Sequence, residues 1–512
     1  MPPQRLRDGR REDRVLGLRT QTHPRNHPLS PAALPPLSVN ASSRPGPPSS
    51  GRARGAKPVR VALITYGCAK NLVDSEVMAG HLLEAGYVLT DDPPRADVVL
   101  LNTCGFIQPA RDEALEGIAE VLALKKARPR LRVVVAGCYA ERSRDELAAR
   151  FPQVDLWTGV RDFDHIVPLL RNEGFRPGDR PFLYSDRAPR ALSTPGGWAY
   201  LKISEGCSHE CAFCAIPGIK GRYRSRPAAS IVREAERLAR GGVKELNLIS
   251  QDSTFYGRDR GKKDGLAKLL AALAESRGPR WVRVLYGYPE EVTNVLLGAM
   301  SDPVICPYFD IPFQHADRGV LRTMKRSMDG PKALRLLEKI RTRLPEAAIR
   351  TSLIVGFPGE GRPEFKALLD FVKEARFDHL GVFTYSPEAS TEAFSLGDPV
   401  APEVKVERRR ALLETQSDIS ASLLRGWVGR EVDVLVDKPA PEQPGLWTGR
   451  TRRQAPEVDG LVFVESSPER AGRGPSDSPK PQVRERASGL ENQIRRVRIT
   501  SSKTYDLEGK LI

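Results

Sequence analysis

Cys207-Ser-His-Glu-Cys211-Ala-Phe-Cys214 sets three thiols at C-x3-C-x2-C spacing in one short segment. Three thiolates held this close suit iron, because a 4Fe–4S cluster ligated three times keeps one iron open for a further ligand. Structural zinc is the competing reading, and it wants four ligands. His209 is the nearby candidate for the fourth, at awkward spacing between two of the cysteines. Phe213, directly before the last cysteine, is placed to cover what the thiols hold. Lys220-Gly-Arg-Tyr-Arg-Ser-Arg226 follows. It reads either as a source of cationic contacts to an anionic cluster or substrate, or as a solvated basic loop.

Cys68, Cys104 and Cys138 form a second, scattered set, about 35 residues apart. Each directly follows a short apolar run, at 59–64, 97–101 and 131–136, and helical patterns follow at 71–85, 108–126 and 141–150. Strand–helix alternation with continuously apolar strands predicts a parallel sheet with helices on both faces. All strands of such a sheet end on one edge, where ligands bind. Helix N-termini also begin there and favour thiolates. The three cysteines are therefore expected to converge into a second three-thiol cluster site; three unrelated core cysteines is the alternative. Cys306, the seventh, opens another apolar run with no cysteine nearby and reads as core.

A second alternating block supplies the frame for the first motif. Apolar runs at 198–204, 243–250, 281–287, 306–312, 349–357 and 377–385 enclose helical segments such as 230–240, 266–274 and 331–344. Six βα units are too few for an eight-stranded barrel and enough for an open, partial one. The C-x3-C-x2-C loop follows its first strand, at the face where barrel active sites are built. Gln251–Gly257 and Asp310–Ala316 end later strands with polar groups, among them Gln314 and His315 as hydrogen-bonding candidates or, for His315, a structural cap. Ser352–Glu360 runs an apolar strand into a turn at Gly356, whose backbone could lie flat against an adenine or another planar ligand. No Walker A loop and no Gly-x-Gly-x-x-Gly is present, which argues against nucleoside triphosphate and dinucleotide chemistry.

A helix at 403–424 leads to short strands at 431–436, 461–465, 495–500 and 507–512, a small β-barrel pattern with a Ser/Pro/Arg-rich insertion at 466–490. The expected organisation is α/β overall: a disordered basic tail over 1–58, a parallel-sheet domain over 59–180, a partial (β/α)6 barrel over 195–425 and a small β-barrel over 426–512. Arg450-Thr-Arg-Arg453 and Arg495-Arg-Val-Arg498 fit contact with rRNA or tRNA, or a solvated strand face.

Composition sets outer bounds. The 512 residues are 40% hydrophobic, enough for a sizeable core, so disorder throughout is excluded. No apolar run reaches the roughly 18–20 residues of a membrane span. Seven cysteines are too few for a disulfide scaffold of this size, and no apolar segment near Met1 reads as a secretory signal, which together predict a cytoplasmic chain. Net charge is +16, and residues 1–58 hold eleven Lys/Arg against three Asp/Glu. The acids Asp8, Glu12 and Asp13 argue against an organelle transit peptide.

With Phe213 inside it, the C-x3-C-x2-C motif resembles that of the radical S-adenosylmethionine (SAM) superfamily. The scattered cysteines ahead of it and a C-terminal barrel resembling a TRAM domain narrow the resemblance to the methylthiotransferases, over residues 59–512. Gly67–Glu76, Asn102–Ile107, Gln251–Gly257, Leu285–Pro289 and Tyr308–His315 look like the RimO branch, which modifies an aspartate of ribosomal protein uS12. The alternative branch modifies tRNA adenosines and tends to show a Gln-Ser-Gly-like sequence where this chain has Gln314-His-Ala316. The resemblance implies SAM and two 4Fe–4S clusters. Cys207, Cys211 and Cys214 would ligate one, with SAM at its open iron and Phe213 and Gly356 among the cofactor contacts. Cys68, Cys104 and Cys138 would ligate the other, whose open iron would carry the sulfur to be inserted. A 5′-deoxyadenosyl radical would abstract hydrogen from the aspartate β-carbon, and a second SAM would give the methyl group. The implied partners are uS12 and an external electron donor, with no membrane. No general acid or base is singled out. The 466–490 insertion and the tail depart from the family pattern. From other classes, an RNA-binding module with structural metal and an electron carrier compete; open three-cysteine sites argue against the carrier.

Overall fold

The computed structural model describes residues 57–174, 181–440, 443–466 and 489–512. Most of the expected tail and nearly all of the expected insertion lie outside the described residues.

Strands β1 (Arg60–Thr65), β2 (Val88–Leu89), β3 (Val98–Thr103), β4 (Arg132–Gly137) and β5 (Leu156–Trp157) form one parallel sheet in the order β2-β1-β3-β4-β5. Period-two alternation in these apolar strands buries both faces. Val61, Leu63, Val98, Leu100, Val134 and Ala136 pack with the helix Ala69–Glu84. Ala62, Val99, Leu101, Val133 and Val135 pack with the helix Gln108–Ala127. The two edge strands are two residues long and leave no periodic trace in the sequence. The helix expected over 141–150 is two, Cys138–Arg142 and Arg144–Arg150, parted at Ser143, so Cys138 itself opens the first.

The second domain begins with β6 (Trp198–Lys202). A two-residue antiparallel pair, β7 (Ser204–Glu205) and β8 (Arg224–Ser225), then closes the base of the cysteine loop. β9 (Glu245–Ile249), β10 (Trp281–Val284), β11 (Tyr308–Asp310), β12 (Ala348–Val355) and β13 (His379–Thr384) complete six parallel strands. The ladders β6-β9-β10 and β11-β12-β13 are joined by a bridge between Val282 and Ile305. Outward side chains such as Leu246, Val282 and Ile349 pack under the surrounding helices. Inward ones, including Trp198, Tyr200, Trp281 and Tyr308, join the core of the first domain.

The helix Pro402–Arg425 leads to a closed barrel of β14 (Glu431–Pro439), β15 (Leu446–Arg450), β16 (Val462–Glu465), β17 (Ile494–Ser502) and β18 (Leu507–Leu511), ordered β14-β15-β16-β18-β17. β15 escapes the sequence pattern because Leu-Trp-Thr-Gly-Arg does not alternate. Among the described residues no helix is long and apolar enough to cross a membrane.

The loop after β15 seals the N-terminal ends of the six strands. Arg450 donates to Glu245 at 2.6 Å and to Asp437 at 2.9 Å. Arg283 donates to Glu245 and to the carbonyl of Arg452. Tyr200 donates to Glu457, and Tyr308 to Asp459. This corrects one expectation. Arg450, Arg452 and Arg453 are engaged within the chain; they clamp the third domain to the second, Arg453 through Asp378. Arg495, Arg496 and Arg498 are exposed, with Arg496 and Arg498 paired to Asp433 and Glu431.

Candidate active site

The first trio hangs from the C-terminal end of β6 through β7. Gly206 has φ +80°, and a Cβ there would stand 2.4 Å from the carbonyl oxygen of Arg222, so this turn needs glycine. Cys207 is buried; Cys211 and Cys214 are half-buried. The Ala212 N–H bonds the Met324 carbonyl and the Ala212 carbonyl accepts from Ala393, pinning the loop on two sides. Phe213 packs edge-on to Phe357, with ring centroids 6.4 Å apart. Arg326 Nη1 lies 3.9 Å from Cys211 Sγ, and its guanidinium stacks 4.1 Å above the Tyr288 ring. On that ring lies His209, at 3.9 Å and nearly parallel, with Nε2 2.6 Å from Asp252. His209 is thus held between Tyr288 and Asp252. Burial pushes the Cys207 thiol up to about 11 and Cys214 to about 12; neighbouring thiolates push the same way and Arg326 opposes them.

The second trio sits at three strand ends. Cys68 precedes the helix Ala69–Glu84, Cys104 follows β3 and Cys138 opens the helix after β4. A web of buried neutral groups fixes them. Asn71 Nδ2 donates to the carbonyls of Tyr66 and Thr103, and its Oδ1 faces Cys138 Sγ at 3.6 Å. Asn102 Nδ2 donates to the Asn71 carbonyl and to Ser75, which also accepts from Thr65. Gly67, at φ +93°, lets the loops touch: a Cβ there would sit 2.5 Å from Cys104 Cβ. Burial raises the Cys104 thiol, with Cys68 and Cys138 adding repulsion, and raises Cys138 to about 12.

The crevice between the trios is lined from both domains. Lys202 Nζ lies 2.7 Å from Asp74 and also pairs with Glu205. Lys220 Nζ lies 3.1 Å from Asp74 and 3.7 Å from Glu205. Lys70 rests over the Tyr286 ring, 2.9 Å from its centroid. Burial lowers Lys70 to about 8, against the opposing pull of Cys68 and Asp310. The segment Leu285–Pro289 spans the crevice: Tyr286 meets Lys70 and feels the Cys68 charge, and Tyr288 meets Arg326 and His209. Tyr286 has φ +62° and Gln314 φ +71°, both at strand ends, where strained backbone accompanies function.

All seven cysteines are free. Among the described residues no three His, Cys, Asp or Glu side chains close around a single-ion site. Ligands of one zinc stand within roughly 4.6 Å of each other, given Zn–S bonds of about 2.3 Å. Three soft thiols with no fourth protein ligand among the described residues suit a cluster that keeps one iron open better than structural zinc, which wants four. Loading either trio releases protons, because ligands must be thiolates.

Other expected residues have structural tasks. The space opposite Gly356 is filled by Lys405, whose Cγ would lie 2.4 Å from a Cβ, and the Gly356 N–H bonds Glu360. His315 is fully buried against Glu360. Gln251 donates to Glu205. Lys220 and Arg226, read as a basic loop, are buried in ion pairs, Arg226 with Glu234. Cys306 is core. Lys70, Asn71, Asp74, Asn102, Tyr286 and Tyr288 were not singled out from sequence, though each lies in a segment quoted for the resemblance. Arg326 carried no signal, since its role depends on a fold contact with a loop 115 residues away.

Family models match residues 60–159 (uncharacterized protein family UPF0004), 201–372 (radical SAM superfamily) and 428–512 (TRAM domain). The ribosomal protein uS12 methylthiotransferase RimO of Solibacter usitatus is 44% identical over 89% of this chain and 95% of its own length. The RimO of Aquifex aeolicus is 43% identical over 88% of this chain and 97% of its own. The radical SAM methyltransferase TsrM of Kitasatospora setae, solved with cobalamin and a 4Fe–4S cluster bound, superposes with a TM-score of 0.48 at 15% identity, over 66% of this chain and 77% of that one.

Proposed function

Because this chain belongs to the uS12 methylthiotransferases of the radical SAM superfamily, we propose that it inserts a methylthio group at the β-carbon of an aspartate in ribosomal protein uS12. The observation that carries the reading is the pair of three-thiol sites, one from each domain, on either side of a crevice spanned by Leu285–Pro289.

Cys207, Cys211 and Cys214 would hold one 4Fe–4S cluster, and Cys68, Cys104 and Cys138 the other. When bound, the clusters and SAM supply what no side chain here can: one-electron chemistry that opens an unactivated C–H bond, a sulfur to insert and a methyl group to cap it. The chain's own residues position and shield. Asn71 and Asn102 hold the three strand ends of the first domain in register. Phe213 and Phe357 wall one side of the second-domain loop with hydrocarbon. Arg326 sets a permanent positive charge 3.9 Å from Cys211 Sγ, beside the site an anionic cluster would fill. The balanced set Lys202, Lys220, Asp74 and Glu205 fixes the first domain on the barrel mouth without net charge. Arg111 and Arg142 add a second tie through Glu388.

The working location is the cytoplasm, where an external one-electron donor and ribosomes are both present. The exposed Arg495, Arg496 and Arg498 face of the TRAM-like barrel would lie near rRNA. The test is intact-mass analysis of uS12 after incubation with anaerobically reconstituted enzyme, SAM and a reductant. Gain of one CH2S unit is the expected result. SAM cleavage without that gain would redirect the substrate reading to tRNA.

A further inference from the structure

Three lysines are buried where the first domain meets the barrel: Lys70, Lys202 and Lys220. Two of them are neutralised, because Lys202 and Lys220 share Asp74 and Glu205, two cations facing two anions. Lys70 differs. Among the described residues it has no ion pair and its ammonium makes no hydrogen bond; it has the face of Tyr286. Of the two acidic groups whose charge reaches Lys70 most strongly, Cys68 belongs to the thiol site and Asp310 is already engaged: Oδ1 faces Arg350 at 3.5 Å and Oδ2 accepts the Tyr286 N–H at 3.0 Å. An ammonium carries three donors, and a ring face uses few of them. A buried cation left without an anion is destabilising unless an anion joins it. The Tyr286 backbone is held at φ +62° while its ring meets Lys70, a strain that persists only where the surroundings enforce it.

Resting on the uS12 reading above, we propose that Lys70, seated on Tyr286, binds the side-chain carboxylate of the substrate aspartate and so sets the specificity for an acidic side chain. The chemistry of the substrate gives the reason. An ionised carboxylate taken out of water must be paired. The β-carbon of aspartate is bonded directly to the carboxylate carbon, so the residue that holds the carboxylate also places the reacting carbon. Lys70 lies two residues from Cys68, which sets that carbon beside the first-domain thiols. A neutral residue here would accept an uncharged side chain as readily as a charged one, whereas a site built around a charge rejects the partner that lacks it.

The test uses unreduced holoenzyme without SAM, so that binding is read apart from turnover. Two fluorescent peptides spanning the target aspartate of uS12, one with the native aspartate and one with asparagine in its place, are titrated by anisotropy. The wild type is expected to prefer the aspartate peptide by about tenfold or more. Lys70→Met is expected to lose that preference by weakening the aspartate peptide alone, and Lys70→Arg to keep it. Iron content and the visible spectrum certify each variant; should Lys70→Met lose iron, Lys70→Gln is read in its place. The proposal is overturned if the wild type shows no preference, if the methionine variant keeps it, or if both peptides weaken equally, which would assign Lys70 to the charge of the thiol site itself. Methylthio transfer to full-length uS12 by the wild type is scored separately, and its failure would strike the function reading and not the preference ratio.

Discussion

Cys207, Cys211 and Cys214 share one loop, whereas Cys68, Cys104 and Cys138 come from three strand ends up to 70 residues apart. The loop is locally determined and is then adjusted by distant groups: Arg326 beside Cys211, and Tyr288, His209 and Asp252 behind it. The assembled trio has the opposite construction. Its ligands owe nothing to local spacing and everything to the parallel sheet, and neutral amides hold them in register. A short motif tolerates change in its surroundings, while a convergent site fails when one tie between its strands fails.

The sharpest break between the two comes from deleting one thiol in each. Cys207→Ala should abolish SAM cleavage and product together. Cys104→Ala should abolish product while SAM cleavage persists. Iron should fall from about eight to about four per chain in both, checked by metal analysis and by 5′-deoxyadenosine formation. Full methylthiolation by Cys104→Ala would end the two-site reading.

Next in size is Asn71→Leu. It leaves the carbonyls of Tyr66 and Thr103 without their buried donor, a loss of about 2–3 kcal/mol. The first-domain trio should lose its iron and the loop trio should keep its own. Denaturant unfolding and Mössbauer or iron counts report the two effects separately.

A smaller effect is expected from Arg326→Gln. Removing a fixed cation 3.9 Å from Cys211 Sγ should disfavour the added electron. A shift of about 60 mV to lower potential corresponds to tenfold for one electron. Redox titration followed by EPR reads it, and an unchanged potential would reduce Arg326 to packing.

The smallest difference is in pH response. Burial raises Glu234, but Arg226 and Arg190 outweigh it and hold the carboxyl below its ordinary value of 4.5. A depressed carboxylate adds stability that is present above 4.5 and is lost as pH falls through the folded value. Arg226 also donates to the carbonyl of Lys202, at the end of β6. Acid should therefore loosen the barrel beside the cysteine loop before it affects the amide-held trio. Hydrogen exchange at pH 7 and pH 4 compares them directly.

The order of elements and the placing of Cys68, Cys104 and Cys138 at strand ends were legible because continuous apolar runs between helical patterns force a parallel sheet, and a parallel sheet has one carboxyl edge. Two-residue strands such as Val88–Leu89 were not legible, since they pair only because β1 is already there. The basic stretches misled. Arg450, Lys220 and Arg226 look like surface cations in sequence, and their acids Glu245, Asp74 and Glu234 are 146 to 205 residues away in the first two cases and eight in the third.

Residue type and hydrophobic period alone determined at which edge of each domain the six thiols lie, because both are local properties of the chain. The tertiary structure decided which charges are spent on one another and which is left over. Charge neutralisation depends on distances between residues far apart in sequence, and no local pattern separates a paired Lys202 or Lys220 from an unpaired Lys70.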